Sequence, residues 1–288
     1  MATVYLDGEF LPADQARVPV LDRGFLLGDG VYEVIPVFGR RPFRLAQHLQ
    51  RLAGSLAQTR IAPPLSEPQW RRVIQRLVAS RDEPDQAVYL QVTRGVAPRE
   101  HGFPEGARPT VLAMTRAIAP PPDEPPPGIR AILQEDQRWQ RCDIKSISLL
   151  ANVLHTQAAL DAGAGETLLV RKGQVWEGAS SNVFAVVEGR LTTPPHSPFM
   201  LAGITRDLLV ELCRQQGLAC TEAPLAVADL ERASEIWISS STREMVPVLE
   251  LAGRLVSREA GPVFRQLWAL YVRYRSAHVQ APEQRAEA

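Results

Sequence analysis

Arg141-Cys142-Asp143-Ile144-Lys145-Ser146, running on to Leu149-Leu150-Ala151-Asn152, is the stretch around which the rest of the chain falls into place. Lys145 and Lys172 are the only lysines, so every other side chain among the 32 lysines and arginines is an arginine. Lys172 sits in Arg171-Lys172-Gly173, which reads as an exposed turn between two apolar runs. Lys145 follows Ile144 and precedes Ile147, Leu149, Leu150, Val153 and Leu154, and that run predicts a partly buried stem. Arginine keeps its proton at ordinary pH, whereas a desolvated lysine can give it up and become a nucleophilic amine. The usual employment of such an amine is a Schiff base with a carbonyl compound. The other reading is a half-buried lysine paired with a carboxylate such as Asp143.

The bulk properties narrow the classes. A chain of 288 residues with 45% hydrophobic content suits two modest domains with real cores. Acidic and basic residues balance at 32 each, which argues against a nucleic-acid or membrane-surface protein. Met1 to Gly8 lacks a charged and apolar leader pattern, and no run approaches the roughly 20 apolar residues of a membrane span. Cys142, Cys213 and Cys220 have no metal-like or disulfide-framework spacing. The expectation is a cytoplasmic protein without a metal site.

Outward from Lys145, the chain alternates hairpin and helix signals. Asp7-Gly8 joins two short strands, Val4–Leu6 and Glu9–Leu11. Asp22 to Gly30 holds three glycines in its last seven residues and reads as a loop; Val31–Phe38 reads as a strand. Leu45, Leu49, Leu52 and Leu56 have helical spacing, and Glu67–Ala79 predicts a second amphipathic helix. Ala87–Arg94 and Thr110–Thr115 read as strands around the polar loop Gly95–Arg108, making this half α+β. Six prolines within 119–127 mark a semi-rigid linker. It separates a domain over 1–118 from one over 128–288. In the second, Ile129–Leu133 reads as a strand and Leu149–Ala162 as a helix. Hairpins turn at Lys172-Gly173 and Glu188-Gly189. A helix opens at Gly203-Ile204-Thr205, the strand Glu235–Ile238 runs into Ser239-Ser240-Ser241-Thr242, and a last helix covers Pro262 to about His278 with a frayed tail after it.

A Schiff-base lysine needs an electrophile, and pyridoxal phosphate is the commonest that a protein carries. Its phosphate needs a cradle: the amides of a helix starting at Ile204 and Thr205, the serine run, and the Arg51 guanidinium are candidates, against readings as cap, turn and solvated face. Its ring nitrogen needs an acidic partner, and Glu177 ends a strand just before Gly178-Ala179-Ser180-Ser181. A substrate carboxylate needs cations. Arg99 and His101, two apart in an extended loop, point one way, and the Tyr32 hydroxyl can assist.

Jointly, these stretches resemble the fold-type IV pyridoxal-phosphate aminotransferases, and within them the D-amino-acid-specific branch. The resemblance runs over nearly the whole chain: Asp22-Arg23-Gly24, Gly28 to Val34, His48 to Leu52, Arg138-Trp139, Arg141 to Ser146, Glu177-Gly178, Ser180 to Phe184, Gly203 to Arg206, and Ser240 to Glu244 ahead of Pro247-Val248. It implies an α+β protein with a smaller N-terminal α/β sandwich and a larger, barrel-like C-terminal domain with helices. It implies pyridoxal 5'-phosphate bound to Lys145, with Glu177 on the ring nitrogen, Leu201 on the ring face and Arg138 near the ring hydroxyl. Arg51, Ile204, Thr205, Ser240 and Ser241 would hold the phosphate. Tyr32, Arg99 and His101 would trap the substrate carboxylate, the last two reaching across a homodimer interface. The implied reaction is transamination between D-amino acids and 2-oxo acids. Branched-chain aminotransferases and aminodeoxychorismate lyases share the lysine and the glutamate, and the Arg-x-His pair is what distinguishes the D-specific branch. Ala179, where a serine is frequent, and Ile147-Ser148 depart from the pattern and leave side-chain preference open.

Overall fold

The computed structural model describes residues 3–281. In chain order the elements are β1 (Thr3–Leu6), β2 (Glu9–Pro12), α1 (Arg23–Leu27), β3 (Gly30–Phe38), β4 (Arg41–Pro42), α2 (Leu45–Thr59), α3 (Glu67–Ala79), β5 (Gln86–Thr93), β6 (Thr110–Ala117), β7 (Ile129–Glu135), α4 (Leu150–Asp161) and β8 (Glu166–Arg171). There follow β9 (Gln174–Gly178), β10 (Asn182–Val187), β11 (Arg190–Thr193), α5 (Ile204–Gln215), β12 (Cys220–Glu222), β13 (Leu225–Ala226), α6 (Val227–Arg232), β14 (Glu235–Ser240), β15 (Glu244–Leu251), β16 (Arg254–Leu255) and α7 (Pro262–Gln280).

The first sheet has six antiparallel strands in the order β2-β1-β6-β5-β3-β4. Its inward face meets the leucine stripe of α2, where Leu49, Leu52 and Leu56 pack with Trp70, Ile74 and Leu77 of α3 over Val31, Ile35, Val88 and Leu90. The helical spacing of those residues is what lets two helices cover one sheet face. The second sheet is a curled half-barrel, β12-β11-β10-β14-β15-β7-β8-β9-β13 with β16 on β15. It is antiparallel except where β7 lies parallel to β15 and β8, and β12 to β11. One face packs α5 and α7 through Leu208, Leu209, Phe264, Leu267 and Trp268, with Phe184 stacked on Trp237 at 5.6 Å between ring centroids. Phe38 and Phe43, from the first sheet's end of the chain, complete that cluster.

The Asp7-Gly8, Lys172-Gly173 and Glu188-Gly189 turns form as read, each pair with positive φ. Three expectations need correcting. The glycine-rich loop contains α1, capped by the Asp22 side chain on the Gly24 N–H (2.8 Å) and stopped by Gly28 at φ +65°. The strand read as Glu235–Ile238 extends to Ser240 and is followed by β15, a strand absent from the sequence reading, whose Pro247 stands opposite Trp237 between β14 and β7. The apolar run after Lys145 is not a burying face. In α4, Leu150, Val153 and Leu154 are 73%, 59% and 58% exposed.

The segment 119–127 has no regular structure, as its prolines dictate, and it is docked on α7. The Trp268 indole donates to the Asp123 carbonyl (2.8 Å) and Arg275 to the Pro122 carbonyl (2.8 Å). α7 runs two residues past its expected end, and most of the tail expected to fray lies outside the described residues. No described helix is long and apolar enough to cross a membrane.

The loop 95–108 is pinned at both ends, since Gly95, at φ +98°, lies so close to Arg108 that a Cβ would collide with that residue's carbonyl oxygen. Gly106 shares the positive φ (+68°) but faces open space. Gly106→Ala should therefore cost about 1 kcal/mol, the ordinary left-handed penalty, and Gly95→Ala at least about twice that. Urea unfolding midpoints measure both, and equal losses would refute the collision.

Candidate active site

A cleft of about 810 Å³ opens between the two sheets. Lys145 reaches it from an irregular segment that pairs with the start of β3. Tyr32 N–H donates to the Lys145 carbonyl (2.9 Å), Ile147 N–H to the Gly30 carbonyl (3.1 Å), and Ser146 bridges to Val31. This pairing sets the Lys145 ammonium over the Tyr32 ring, 4.2 Å from its centroid. The Tyr32 ring, rather than the α4 leucines, faces the terminal nitrogen. The carboxylate reading fails in its particular form, because Asp143 is held by Arg141 through two bonds of 3.0 and 3.1 Å. Lys145 forms no salt bridge among the described residues.

Glu177, 4% exposed on β9, lines the cleft. Its Oε1 accepts from Arg138 Nη1 (2.5 Å), and its Oε2 accepts from the Leu201 N–H (3.0 Å) and the Asn182 amide (3.3 Å). Burial pushes its carboxyl above the ordinary value against the pull of Arg138 and the Leu201 N–H. A cation bound beside it draws it back down. Arg138 gives the rest of its fork to Asp136 (3.0 and 3.1 Å) and the Phe199 carbonyl, so Glu177 shares it with two other acceptors. Cys142 also lines the cleft, but burial pushes its thiol up to about 11, which keeps it protonated and unreactive.

α5 begins next to Glu177, linked through Asn182. Its N-cap is Gly203, with no side-chain cap, and the first intrahelical bond comes from Asp207 N–H to the Gly203 carbonyl. The amides of Ile204, Thr205 and Arg206 therefore have no partner within the helix. A Cβ on Gly203 would strike the Asn182 amide oxygen, so the same Asn182 that serves Glu177 keeps this corner bare. The Ser239 hydroxyl is buried without a partner and lines the cleft beside Ser240 and Ser241. Thr205 gives its hydroxyl proton to the Ser240 carbonyl (3.1 Å), which leaves its amide as its free donor.

Arg51 reaches this corner with only part of its guanidinium to offer. Its Nε and Nη2 grip Glu33 (2.7 and 2.9 Å), and Nη1 donates to the Ala202 carbonyl (2.8 Å), leaving two of its five N–H groups free. Free amides, an orphaned buried hydroxyl and a half-used guanidinium, with no unpaired carboxylate among them, form a donor set that fits a phosphate. Leu201, whose N–H meets Glu177, also lines the cleft.

The carboxylate trap is divided. Tyr32 lines the cleft, whereas Arg99 and His101 are exposed and do not. Their segment bends rather than extends, so the two-residue spacing does not by itself align them. The loop is nonetheless fixed from below. Arg23 donates to the Glu100 carbonyl (2.5 Å), and Phe103 lies under Arg94 at 3.8 Å. Both arginines converge on Asp29 (2.8 and 2.7 Å), which lines the cleft.

Sequence reasoning passed over Glu33 and His48 as site residues. Glu33 is fully buried; His48 Nδ1 donates to its Oε2 (2.8 Å) while Arg51 holds both oxygens. The signal was present, since Glu33 has the strand parity of Val31 and Ile35, and a carboxylate on a buried face needs a cation.

A family model described as amino-transferase class IV matches residues 30–251. A D-alanine aminotransferase of Bacillus licheniformis is 38% identical over 265 residues, 92% of this chain and 94% of that protein. Another, of Staphylococcus haemolyticus, is 35% identical over 276 residues, 95% and 98% of the two chains. Among solved structures, a branched-chain amino acid aminotransferase of Escherichia coli superposes with a TM-score of 0.86 at 22% identity over 99% and 97% of the chains, a likeness of fold. A hypothetical aminotransferase from Mycobacterium tuberculosis in PLP-bound form gives 0.79 at 28% identity over 97% and 99%.

Glu33 supplies a test of the arginine clasp. Burial alone would raise its pKa; the charge and hydrogen bonds of Arg51, with the bond from His48, override this and hold the carboxyl well below its ordinary 4.5. Its stabilisation is thus full above pH 4.5 and fades as pH falls from there toward the lower folded value. Glu33→Gln should cost about 3–5 kcal/mol at pH 7, the usual loss on breaking a buried pair. The gap from the parent protein should narrow below pH 4.5 in denaturant titrations, and a gap that widens there refutes the clasp.

Proposed function

The chain belongs to the class IV aminotransferases, and from that membership we propose that it moves amino groups from D-amino acids, D-alanine among them, to 2-oxo acids such as 2-oxoglutarate. The observation that carries the reading is an unpaired amine in a cleft whose every other buried charge is matched. Lys145 stands over Tyr32 in a cleft lined also by a held carboxylate and by an anion cradle. Pyridoxal 5'-phosphate, the cofactor of the class, supplies when bound an aldehyde that condenses with amines and a ring that takes up the electrons freed at the substrate Cα.

The chain's own groups do the rest. Glu177 keeps the proton on the ring nitrogen, and Arg138, Asn182 and the Leu201 N–H keep Glu177 in place for it. The free N–H groups of Arg51, the amides of Ile204 and Thr205, and the hydroxyls of Ser240 and Ser241 hold the phosphate, with Leu201 against the ring. Lys145 Nζ would take the proton from the substrate Cα and deliver it to the cofactor carbon within the same half-reaction, and would do the reverse in the other; because the first 2-oxo acid leaves before the second one binds, the kinetics are ping-pong. Chirality follows from the face that Lys145 serves and from where Tyr32, Arg99 and His101 fix the carboxylate.

Three further assignments belong to this reading. The protein works as a homodimer in which Arg99 and His101 of one protomer complete the cleft of its partner. Their exposure outside their own cleft supports this, as do the uncovered leucines of α4 and Phe25. The chain divides into domains at 1–118 and 128–288, joined by the proline segment 119–127. A cytoplasmic location agrees with three free cysteines.

Four measurements test the reading. Assayed with 2-oxoglutarate, the protein should turn over D-alanine and leave L-leucine nearly untouched; preference for L-leucine, or release of pyruvate from aminodeoxychorismate, overturns it. Borohydride reduction should label Lys145 and not Lys172, and Lys145→Ala should abolish turnover. Arg99→Ala should raise KM for D-alanine about 10–100-fold, the value of a lost charge-assisted bond, with a smaller effect on kcat. An unchanged KM removes Arg99 from the trap.

A further inference from the structure

The turn that carries the serine run ends on an anomaly. Ser240 and Glu244 are register partners, so only Ser241, Thr242 and Arg243 connect β14 to β15. Hairpins of this length commonly close on one left-handed residue, and glycine is the usual choice there because it has no Cβ to clash. Here the position is Glu244, at φ +56° and 3% exposed. A buried glutamate in that conformation persists only where its surroundings over-determine it.

Those surroundings are specific. Arg275 of α7 donates to both Glu244 oxygens (2.9 and 2.8 Å). The same guanidinium is anchored from behind by the Pro122 carbonyl (2.8 Å) and the Asp123 carboxylate (3.1 Å) of the proline segment. On the cleft side the turn is tied by the Arg243 N–H to the Ser240 hydroxyl (3.3 Å) and by Thr205 to the Ser240 carbonyl (3.1 Å). A continuous path therefore runs from the segment at 122–123, through Arg275 and Glu244, to the serines facing the start of α5.

We propose that Glu244, clasped by Arg275, is a positioning residue for phosphate binding: the clasp holds residue 244 left-handed and so presents Ser240 and Ser241 to the phosphate. Glu244 touches no ligand itself. The inference rests on the reading of this corner as the phosphate site of pyridoxal phosphate.

The test compares Glu244→Gly with Glu244→Ala in the full-length chain stripped of cofactor and titrated with pyridoxal phosphate or with pyridoxal. Both variants delete the carboxylate, but only glycine accepts the left-handed conformation without strain. Glu244→Gly should bind pyridoxal phosphate within about twofold of the parent, while Glu244→Ala should lose about tenfold, as expected when the left-handed penalty is no longer offset. Affinity for pyridoxal, which lacks the phosphate, should be the same in all three proteins. A merely structural role lowers affinity for both ligands alike in the two variants, and that result overturns the proposal. If Glu244→Ala fails to fold, Glu244→Gln carries the comparison, since it keeps the size and loses the charge of the clasp. An unaltered preference for the phosphorylated ligand in that variant likewise overturns it. If the parent protein itself does not prefer pyridoxal phosphate to pyridoxal, the fault lies in the placement of the phosphate and not in Glu244.

Discussion

The backbone pairing between residues 145–147 and the first residues of β3 is the constraint on which the site depends. Its bonds join a segment of the second half to the sheet of the first. Ile144 is buried in the core under that sheet, and the Ser55 hydroxyl of α2 accepts from the Lys145 N–H (3.3 Å). The amine is thus aimed by main-chain geometry, which does not relax when a ligand arrives, rather than by a side-chain partner that would have to be displaced. Tyr32 is both the strand neighbour and the aromatic surface under the ammonium, so strand register and lysine position are one quantity.

The near-absence of lysine then acquires a physical sense. Four buried or half-buried carboxylates around the cleft are each matched by arginine: Glu33 by Arg51, Glu177 by Arg138, Asp29 by Arg23 and Arg94, and Glu244 by Arg275. A guanidinium forks onto a carboxylate and cannot lose its proton, so these pairs stay fixed while protons move nearby. The one amine in the cleft is left without a carboxylate that would hold its charge in place.

Much of this was legible in the sequence, for reasons that can be named. The hairpins at Asp7-Gly8 and Lys172-Gly173 rest on local turn chemistry, and α3 on a full amphipathic period; both kinds of signal sit within one element. Ten of the twelve residues expected at the site line one cleft, since motif spacing carried them together; Arg99 and His101 do not line it within a single protomer. What escaped was set by distance in the chain. The clasp of Glu33 on Arg51 joins residues 18 apart, and that of Glu244 on Arg275 joins residues 31 apart. Strand parity marks Glu33 as buried, but nothing local names its partner or that of Glu244. The α4 leucines misled because apolar residues near a lysine were read as its cover, when they face outward.

One feature of the packing limits how the cleft can admit a ligand. Phe38 and Phe43, from the first sheet's end of the chain, are embedded among α5 and α7. Phe43 touches Tyr271, Tyr274 and His278, and Arg44 beside it is forked onto Glu211. Swinging the two sheets apart like covers of a book would tear this aromatic plug out of its socket and expose a largely apolar surface to water. Ligand traffic must therefore go past movable loops and side chains at the rim, with the scaffold behind them acting as a single rigid block.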